Sequence, residues 1–484
     1  MRKRVIVIGG GISGLAVARA LKQQSITSGA PLDITVLEAE PLPGGKIRTA
    51  REGGWTVERG PNGFLDSAPR TRELAVEVGL EDGILKASDA ATERSLYCRG
   101  ALRSLPTSPL SFFGSDLLSL RGRARMLLEP FTRRPRDPGR DESVASFARR
   151  HLGDEAAHTL VSSMVLGVFG GDSEKLSLRS AFPKMHEMER DHGSLVRAMV
   201  SKMRARRKAR RRGDAESTRP GGPAGPAGVL TSFRGGMSDL VEALARDLGE
   251  DLRCGSKVVS LRREGHQAVS EGWELPLWKV ATAGGEPELE AEAVILAGEA
   301  FSTASLVETL DRRAARELRA IPYAPIVVVG LGYERSRVPG GGQGFGFLVP
   351  RGHGLRILGC LYDSGIFPGR APEGRVLLRA MVGGAVDPGA LELDDEAIVQ
   401  LVREDLRMGM GISAPPEKVF VSRWPAGIPQ YVVGHRERLD RIHDLLFRSP
   451  GIFLGGNAYR GVALNSCVTE ADRLARDVLG FLGG

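Results

Sequence analysis

A glycine-rich turn directly after the first apolar segment constrains the fold of this chain more than any other feature. Residues 9–14 spell G-x-G-x-x-G, preceded by the apolar run 3–8 and followed by a helical pattern over 13–24. A further apolar run over 33–38 predicts a second buried strand. Strand, glycine turn, helix and strand make a βαβ unit, so the chain is expected to begin with an α/β nucleotide fold.

The glycine turn and the acidic residue after it predict where a dinucleotide would bind. Absent side chains at Gly9, Gly11 and Gly14 let the backbone approach a pyrophosphate at the helix N-terminus. Glu38 stands where an acceptor for a ribose hydroxyl is expected, slightly late because residues 25–31 lengthen the connection. This fingerprint predicts a dinucleotide, but it does not separate FAD from NAD.

Size and composition bound the remaining possibilities. With 484 residues the chain exceeds one hydrophobic core, so two or three packed lobes are expected. A formal charge of +8 admits acidic small molecules, anionic lipid surfaces and nucleic acid, whereas the aromatic share of 5% argues against an aromatic-platform nucleic-acid binder. Four scattered cysteines without a C-x-x-C pair or a histidine cluster predict neither disulfides nor a metal site.

The start of the chain has a basic and then an apolar segment, as a signal peptide does. Four glycines interrupt the apolar stretch between Val5 and Leu15, and no convincing cleavage site follows it. Elsewhere the sequence lacks the roughly twenty consecutive apolar residues of a membrane span. We therefore expect a cytoplasmic protein that is soluble or attached to a membrane surface.

Several later segments resemble the amine-oxidase-like flavoproteins. PGGKIRT at 43–49 resembles their second glycine motif, and ERGPNG at 58–63 resembles their loop beneath the flavin. VILAG at 294–298 and LGGN at 454–457 resemble their strand near the cofactor and their terminal strand. The helix after the terminal strand points at the flavin in that superfamily, where its N-terminus stabilises the charge of the reduced ring. The resemblance implies FAD as the cofactor.

Within this superfamily the chain resembles the protoporphyrinogen oxidase family over nearly its whole length. The motifs are GPNGFL at 60–65, LRSLPTSPLSFF at 102–113, GVFGGDSEKLSLRSAFP at 167–183, GFGFLVP at 344–350, IPQYVVGH at 428–435 and GNAYRGVALNSC at 456–467. The resemblance implies hydride transfer from protoporphyrinogen IX to FAD, reoxidation by dioxygen to give hydrogen peroxide, and three such rounds in porphyrin and haem biosynthesis. No histidine or carboxylate in the motifs has a spacing that compels an acid–base role, so no catalytic residue is assigned.

The resemblance also implies a set of FAD contacts. Leu42 stands where the family often has arginine, so neutralisation of the pyrophosphate is expected from Arg48, and Asn457 stands where many flavoproteins have aspartate. The implied contacts are Gly9, Gly10, Gly11, Ile12, Ser13, Gly14, Glu38, Ala39, Lys46, Arg48, Gly60, Pro61, Asn62, Gly63, Val258, Trp424, Asn457, Val462, Ala463 and Leu464.

Four residues are implied as substrate contacts. Arg94 aligns with the family's arginine that pairs with a porphyrin propionate, a task suited to the guanidinium fork. Leu348, Phe367 and Met381 fall where the family holds the macrocycle between apolar side chains. Such an apolar slot suits a flat tetrapyrrole whose carboxylates stay near basic groups at the mouth.

The predicted fold class is α/β, in three parts with one connecting loop. Residues 1–93, 229–301 and 421–484 are expected to form a discontinuous, Rossmann-like FAD-binding domain. Residues 94–212 are expected to form a mainly helical, inserted membrane-docking domain, and residues 302–420 a mixed-sheet substrate-binding domain. The Pro- and Gly-rich stretch 213–228 predicts a flexible loop between them.

Two segments could contact a membrane or nucleic acid. The apolar stretch 110–120, with Phe112 and Phe113 and arginines after it, is the better candidate for a membrane surface. The basic run 202–212 is more simply a solvated helix face. Since the family's inserted lobe docks on a bilayer, we expect peripheral membrane attachment, a porphyrinogen and dioxygen as small-molecule partners, and no nucleic acid. A homodimer is left open.

Three other functions compete with this hypothesis. Oxidation of coproporphyrinogen III would use a basic pocket mouth for its extra propionates. A flavin amine oxidase is disfavoured, because the sequence shows neither a flavin-linking cysteine context nor a clear aromatic cage. The third is a membrane- or nucleic-acid-binding protein that keeps FAD only as a structural element.

Overall fold

A computed structural model describes residues 2–106, 111, 114–132, 139–212, 228–270 and 273–483. The predicted loop 213–228 therefore lies outside the described residues except for Gly228. Leu110, Phe112 and Phe113 of the membrane candidate lie outside them as well.

Twenty strands are present in the described part of the chain. They are β1 (Lys3–Ile8), β2 (Leu32–Leu37), β3 (Thr49–Glu52), β4 (Trp55–Glu58), β5 (Phe64–Leu65), β6 (Ile84–Lys86), β7 (Arg94–Cys98), β8 (Ala101–Ser104), β9 (Leu230–Phe233), β10 (Leu252–Arg253), β11 (Val258–Ser270), β12 (Trp273–Thr282), β13 (Leu289–Ala291), β14 (Ala293–Leu296), β15 (Tyr323–Glu334), β16 (Gly346–Leu348), β17 (Gly359–Leu361), β18 (Arg375–Gly383), β19 (Lys418–Pro429) and β20 (Ile452–Leu454).

The described α-helices number sixteen. They are α1 (Ile12–Thr27), α2 (Pro69–Glu77), α3 (Leu120–Leu127), α4 (Val144–Leu152), α5 (Asp154–Ala156), α6 (Ser162–Phe169), α7 (Leu178–Ala181), α8 (Pro183–His192), α9 (Leu195–Arg212), α10 (Ser238–Leu248), α11 (Ala300–Val307), α12 (Arg312–Arg319), α13 (Asp363–Ile366), α14 (Asp395–Met410), α15 (His435–Leu446) and α16 (Leu464–Phe481).

A five-stranded parallel sheet in the order β10-β2-β1-β14-β20 forms the nucleotide-type part of the fold. Its central strands are continuous apolar runs because both faces are covered. Val5 and Val7 pack on one side against α1, α10 and α16, while Ile6 packs on the other side. The predicted βαβ unit is confirmed, with β2 ending at Leu37 and Glu38 directly after it.

A seven-stranded mixed sheet in the order β19-β15-β18-β17-β16-β7-β8 forms the second layer. All its strand pairs are antiparallel except β16 with β7. One face packs on α14 through residues such as Val329, Phe347 and Val402. The other face is turned toward the loop that follows β4, as the contacts of β15 and β18 with that segment show.

Two chain segments join this sheet that the sequence analysis had assigned to other parts. Arg94–Cys98 and Ala101–Ser104 were predicted within a helical segment, but they are strands β7 and β8. The first nine residues of 421–484 continue β19 and pair with β15 rather than with the parallel sheet. The pairings of β7 with β16 and of β19 with β15 are long-range contacts that local composition does not report. The division into domains itself stays a prediction.

The region from α3 to α9 is mainly helical and has a small polar core of its own. The buried imidazole of His151 lies between two carboxylates, with Nδ1 2.7 Å from Glu129 Oε1 and Nε2 3.0 Å from Glu189 Oε1. Glu129 also accepts hydrogen bonds from the backbone N–H groups of Leu195 and Val196 at the start of α9. Of the helices described, none has the length and apolarity that crossing a bilayer requires.

Candidate active site

The N-terminus of α1 offers the main-chain donors that a pyrophosphate needs. Gly11 caps this helix, no side chain caps it, and no acidic residue lies in its first turn, which begins with Ile12 and Ser13. A Cβ at Gly14 would collide with the carbonyl oxygen of Gly9, so the turn can close only around glycine. A Cβ at Gly11 would meet nothing within 4 Å, which leaves open space against this backbone. An anionic group fits at this helix end.

Glu38 is fixed in the position expected of a ribose acceptor. Its carboxylate accepts from the backbone N–H of Gly10 at 2.6 Å and from that of Glu40 at 2.8 Å. The side chain is 8% exposed, while the adjacent Ala39 is exposed. The carboxylate is thus oriented by the glycine turn itself.

The two basic residues of the second glycine motif bind protein groups in this structure. Lys46 Nζ lies 2.6 Å from Glu299 Oε1 and 5.1 Å from the centre of the Tyr323 ring. Arg48 Nε donates to the Gly45 carbonyl at 3.1 Å. Glu299 follows β14 and precedes α11, and the sequence analysis missed it because a single glutamate after a strand carries no distinctive pattern.

Residues 60–63 form a tight loop that contains an unpaired amide. Gly60 lies against the carbonyl of Lys46 and Gly63 against that of Thr231, so neither position has room for a side chain. Both Nδ2 and Oδ1 of Asn62 are buried, yet neither has a hydrogen-bond partner among the described residues. Buried amides are normally satisfied, so this one calls for a polar ligand. The loop, the glycine turn and Glu38 together fit FAD, with Pro61 exposed at the loop's surface.

Donors from the mixed sheet hold the three carbonyls that lead into this loop. Arg379 Nη1, on β18, donates to Gly60 O at 2.9 Å and to Glu58 O at 3.4 Å. Trp424 Nε1, on β19, donates to Arg59 O at 2.6 Å. Trp424 had been expected as a direct FAD contact, and in the structure its indole nitrogen is engaged by the loop backbone. Arg379 was missed, because an arginine within an apolar strand gives no sign of its partner.

The remaining expected cofactor residues lie at the ends of late elements. Val258 begins β11 and packs beside the parallel sheet. The carbonyl of Asn457 accepts from the Tyr431 hydroxyl at 2.5 Å. Ala463 caps α16 without a side-chain hydrogen bond, Leu464 is its first residue, and Val462 packs against the helical region.

Arg94, Leu348 and Met381 share one face of the mixed sheet. Arg94 is paired with Gly346, Leu348 with Gly359, and Gly359 with Met381, so strand register places the three side chains on the same side. Leu348 packs near Leu96, and Met381 lies among apolar residues that include Trp424. These expected substrate contacts are brought together beside the loop that Trp424 and Arg379 hold.

Arg94 is a partly buried cation on this face. Its guanidinium carbon lies 4.2 Å from the centre of the Phe345 ring, a cation–π arrangement. Burial lowers the pKa of Arg94. Within the described residues no carboxylate forms an ion pair with it, and burial is the sole cause of the pKa shift. A cation in this setting is suited to an anionic ligand group.

Phe367 lies outside the strands, and its cluster includes Leu361, which strand register places on the same face as Arg94. It follows α13, is 0% exposed, and packs with Ala91 and Ile366 in a cluster that includes Phe345. It therefore supports the ring beneath Arg94, and its own contact with a substrate stays a prediction.

Comparison with known proteins places the chain among flavoproteins. Residues 12–479 match the family model described as flavin containing amine oxidoreductase. The chain is 34% identical to protoporphyrinogen oxidase 1, chloroplastic, of Arabidopsis thaliana, over 99% of this chain and 88% of the relative. It is 31% identical to coproporphyrinogen III oxidase of Bacillus subtilis (strain 168), over 99% of each. The crystal structure of a proposed protoporphyrinogen oxidase from Exiguobacterium sp. 255-15 superposes with a TM-score of 0.81 at 25% identity, covering 100% of both chains.

Proposed function

This chain belongs to the flavin containing amine oxidoreductase family and is an oxidoreductase with FAD as its cofactor, and from that premise we propose that it oxidises protoporphyrinogen IX to protoporphyrin IX. The overall reaction removes six hydrogens from the ring system while three molecules of dioxygen are reduced to three of hydrogen peroxide. Bound FAD supplies the two-electron acceptor for each pair of hydrogens. The relatives named for porphyrinogen oxidation cover 99% of this chain, which supports the proposal.

The observation that carries the substrate class is the sheet face next to the flavin loop. Leu348 and Met381 give this face an apolar surface, and Arg94 gives it a partly buried cation without a carboxylate partner in the described chain. A flat, apolar ring with carboxylate arms matches that combination. The residues need chiefly to orient one methylene bridge and exclude water. Each round removes a hydride and a proton, and no residue is assigned as the acceptor of the proton.

Anaerobic mixing of the purified, FAD-loaded protein with protoporphyrinogen IX tests the proposal. The visible absorption band of the flavin should bleach, and admission of air should restore it while porphyrin fluorescence appears. Saturating protoporphyrinogen that leaves the band of a fully loaded protein unchanged would overturn it.

Coproporphyrinogen III is the second candidate substrate. The specific observation in its favour is the Bacillus subtilis relative, which matches over 99% of both chains. Side-by-side measurement of kcat/KM for the two porphyrinogens decides between them. A ratio above one for coproporphyrinogen would reassign the substrate without changing the cofactor or the reaction type.

We further propose peripheral attachment to the cytoplasmic membrane through the helical region. Large apolar side chains are exposed on α3, on the turn after it and on α9, and Glu129 joins these elements by capping α9. The exposed residues are Leu120, Leu127, Leu128, Phe131, Val196, Met199, Val200 and Met203. The exposed arginines Arg121 and Arg197 lie on the same helices and suit an anionic lipid surface.

A further inference from the structure

The flavin loop is anchored by a buried arginine of the neighbouring sheet. Arg379 lies in the middle of β18 and is 2% exposed. One side of its guanidinium donates to the carbonyls of Gly60 and Glu58, at 2.9 and 3.4 Å. Its Nε donates to Asp363 Oδ2 at 2.7 Å, and Asp363 is 1% exposed. Asp363 therefore orients the plane of the Arg379 guanidinium, which donates hydrogen bonds to the loop.

The same sheet also receives the hairpin from which the loop emerges. A Cβ on Gly330 of β15 would lie 2.9 Å from Val57 Cγ1, and one on Gly332 would lie 2.5 Å from the Trp55 ring. Strand β4 thus rests directly on the backbone of β15, in a contact that only glycine permits. The loop has little freedom to move relative to the mixed sheet.

Two arginines and two carboxylates are buried together here, so their charges balance. They are Arg370, Arg379, Glu58 and Asp363. Arg370 Nη2 donates to Ser232 Oγ at 2.8 Å and lies 3.4 Å from Glu58 Oε1. Burial raises the pKa of both Glu58 and Asp363, although Arg370 and Arg379 oppose that rise. Apolar side chains of similar volume would hold two layers together at lower cost than a buried ion pair. Ion pairs add a fixed orientation of the hydrogen-bond donors, and a loop beneath a cofactor requires such an orientation.

We propose that Arg379, oriented by Asp363, is a positioning residue that sets the backbone geometry of residues 58–63 and thereby the affinity and environment of the bound flavin. This deepens the proposed function and rests on the FAD site it assumes. The mixed sheet would then determine the position of the FAD-binding loop through its own side chains. Trp424 would act in the same way through the single carbonyl of Arg59.

The test compares FAD binding by apoprotein variants, with the dissociation constant and the visible circular dichroism of bound flavin as readouts. Arg379→Gln should weaken FAD binding by about tenfold or more, since it removes charge-assisted hydrogen bonds. Arg379→Lys keeps a donor and should recover part of the affinity. Asp363→Asn should act in the same direction, and the double variant should be little worse than Arg379→Gln alone, because the two residues act as a unit.

A matched control is Arg150→Gln. Arg150 bridges Glu142 and Glu189 in the helical region, so this change should lower the melting temperature without changing FAD affinity. If Arg379→Gln does not fold, Trp424→Phe decides, because it removes one hydrogen bond and keeps an aromatic side chain. Its FAD affinity should fall severalfold, as expected for one lost hydrogen bond.

Unchanged FAD affinity and an unchanged flavin dichroism in folded Arg379→Gln would overturn the proposal, as would the same result for Trp424→Phe where Arg379→Gln does not fold. Equal losses of melting temperature with and without FAD would show a merely structural role and would also overturn it. These readouts need no substrate. A protein that binds FAD in this manner but oxidises no porphyrinogen would disprove the proposed function and leave this inference standing.

Discussion

Arg94 combines features that are rarely stable together in a folded protein. A guanidinium that is partly buried loses hydration, and here burial lowers its pKa while an aromatic ring rather than a carboxylate lies beneath it. A ligand carboxylate would relieve this desolvation on binding. Such an interaction would exist equally in the bound substrate and in the transition state, so it should contribute to binding rather than to the chemical step.

Replacing Arg94 by alanine should therefore raise KM for the porphyrinogen more than it lowers kcat. The loss of a charged hydrogen bond predicts a rise of about tenfold or more. Steady-state oxygen consumption over a range of substrate concentrations measures both constants. Arg94→Lys keeps the charge but not the bidentate guanidinium, so its KM should lie between those of the wild type and Arg94→Ala. An unchanged KM in Arg94→Ala would remove this residue from the substrate site.

His151 and its two carboxylates predict how stability depends on pH. Burial alone would lower the pKa of His151, but hydrogen bonds to Glu129 and Glu189 raise it above its ordinary value of 6.5. Burial alone would raise the pKa of each glutamate, but hydrogen bonds from His151 and other donors lower both to about 2. The imidazolium form, with both ring nitrogens donating, is thus favoured in the folded state.

The stabilisation from His151 is fully present below its unfolded pKa of 6.5 and is lost as pH rises through the higher folded value. That from Glu129 and Glu189 is present above 4.5 and is lost as pH falls toward about 2. The melting temperature should therefore be highest between these limits and should decline above neutral pH. Thermal melts across pH measure this, and His151→Gln should flatten the alkaline decline; a wild-type-like profile in that variant contradicts the assignment.

At the scale of elements, the helix α1 begins at a point where two glycines have different roles. Gly14 closes the turn against the carbonyl of Gly9, whereas Gly11 faces open space. Gly11 also has φ −72° and ψ 174°, an extended conformation that any residue adopts. A substitution at Gly14 therefore tests the folding of the turn, whereas a substitution at Gly11 tests ligand binding by the turn.

Gly14→Ala should lower the melting temperature of the FAD-free protein, because the new methyl group collides with the turn. Gly11→Ala should leave that temperature unchanged and weaken FAD binding by about tenfold or more, as the loss of a hydrogen bond to a phosphate would. Apoprotein melts and FAD titrations measure the two effects. Unaltered FAD affinity in Gly11→Ala would mean that no ligand group lies against this backbone.

Local sequence patterns predicted the buried parallel strands well, but they assigned β7, β8 and the end of β19 to other parts of the fold. The buried apolar runs of β1 and β14 carry their own signal, since a strand covered on both faces needs apolar residues throughout. Strands β11 and β12 form a long antiparallel hairpin in which β11 contains the polar and glycine run 262–267. Cross-strand pairing, rather than apolar periodicity, holds such a hairpin together.

The candidate site shows the same division. The glycines and Glu38 were proposed from the spacing of a motif and Arg94 from a resemblance, and their binding roles stay predictions. Arg379 and Glu299 were missed, since their partners lie 319 residues and 253 residues away along the chain, as the numbering of Gly60 and Lys46 shows. Long-range ion pairs leave no mark on local sequence.

At the scale of the whole molecule, eight exposed large apolar side chains belong to α3, the turn after it and α9, where membrane attachment is proposed. Replacing Leu127 and Phe131 by serine should reduce co-sedimentation with anionic liposomes by more than about tenfold, given 1.5–3 kcal/mol for each fully buried large side chain. Phe447→Ser is the matched control, because Phe447 is 79% exposed and Phe131 78%, and Phe447 follows α15 outside this region. Wild-type protein that remains in the supernatant even at low salt would contradict the attachment.

The order of strands within the parallel sheet also has a consequence for co-translational folding. β1 is synthesised before β14, and β14 before β20, yet β14 lies between β1 and β20 in the sheet, so the sheet reaches its full width only after β20 has been made. The mixed sheet is likewise incomplete until β19 has been synthesised and pairs with β15. The nascent polypeptide must therefore keep the unpaired edge of β14 shielded until β20 has been synthesised, and we expect chaperones to bind this edge during synthesis.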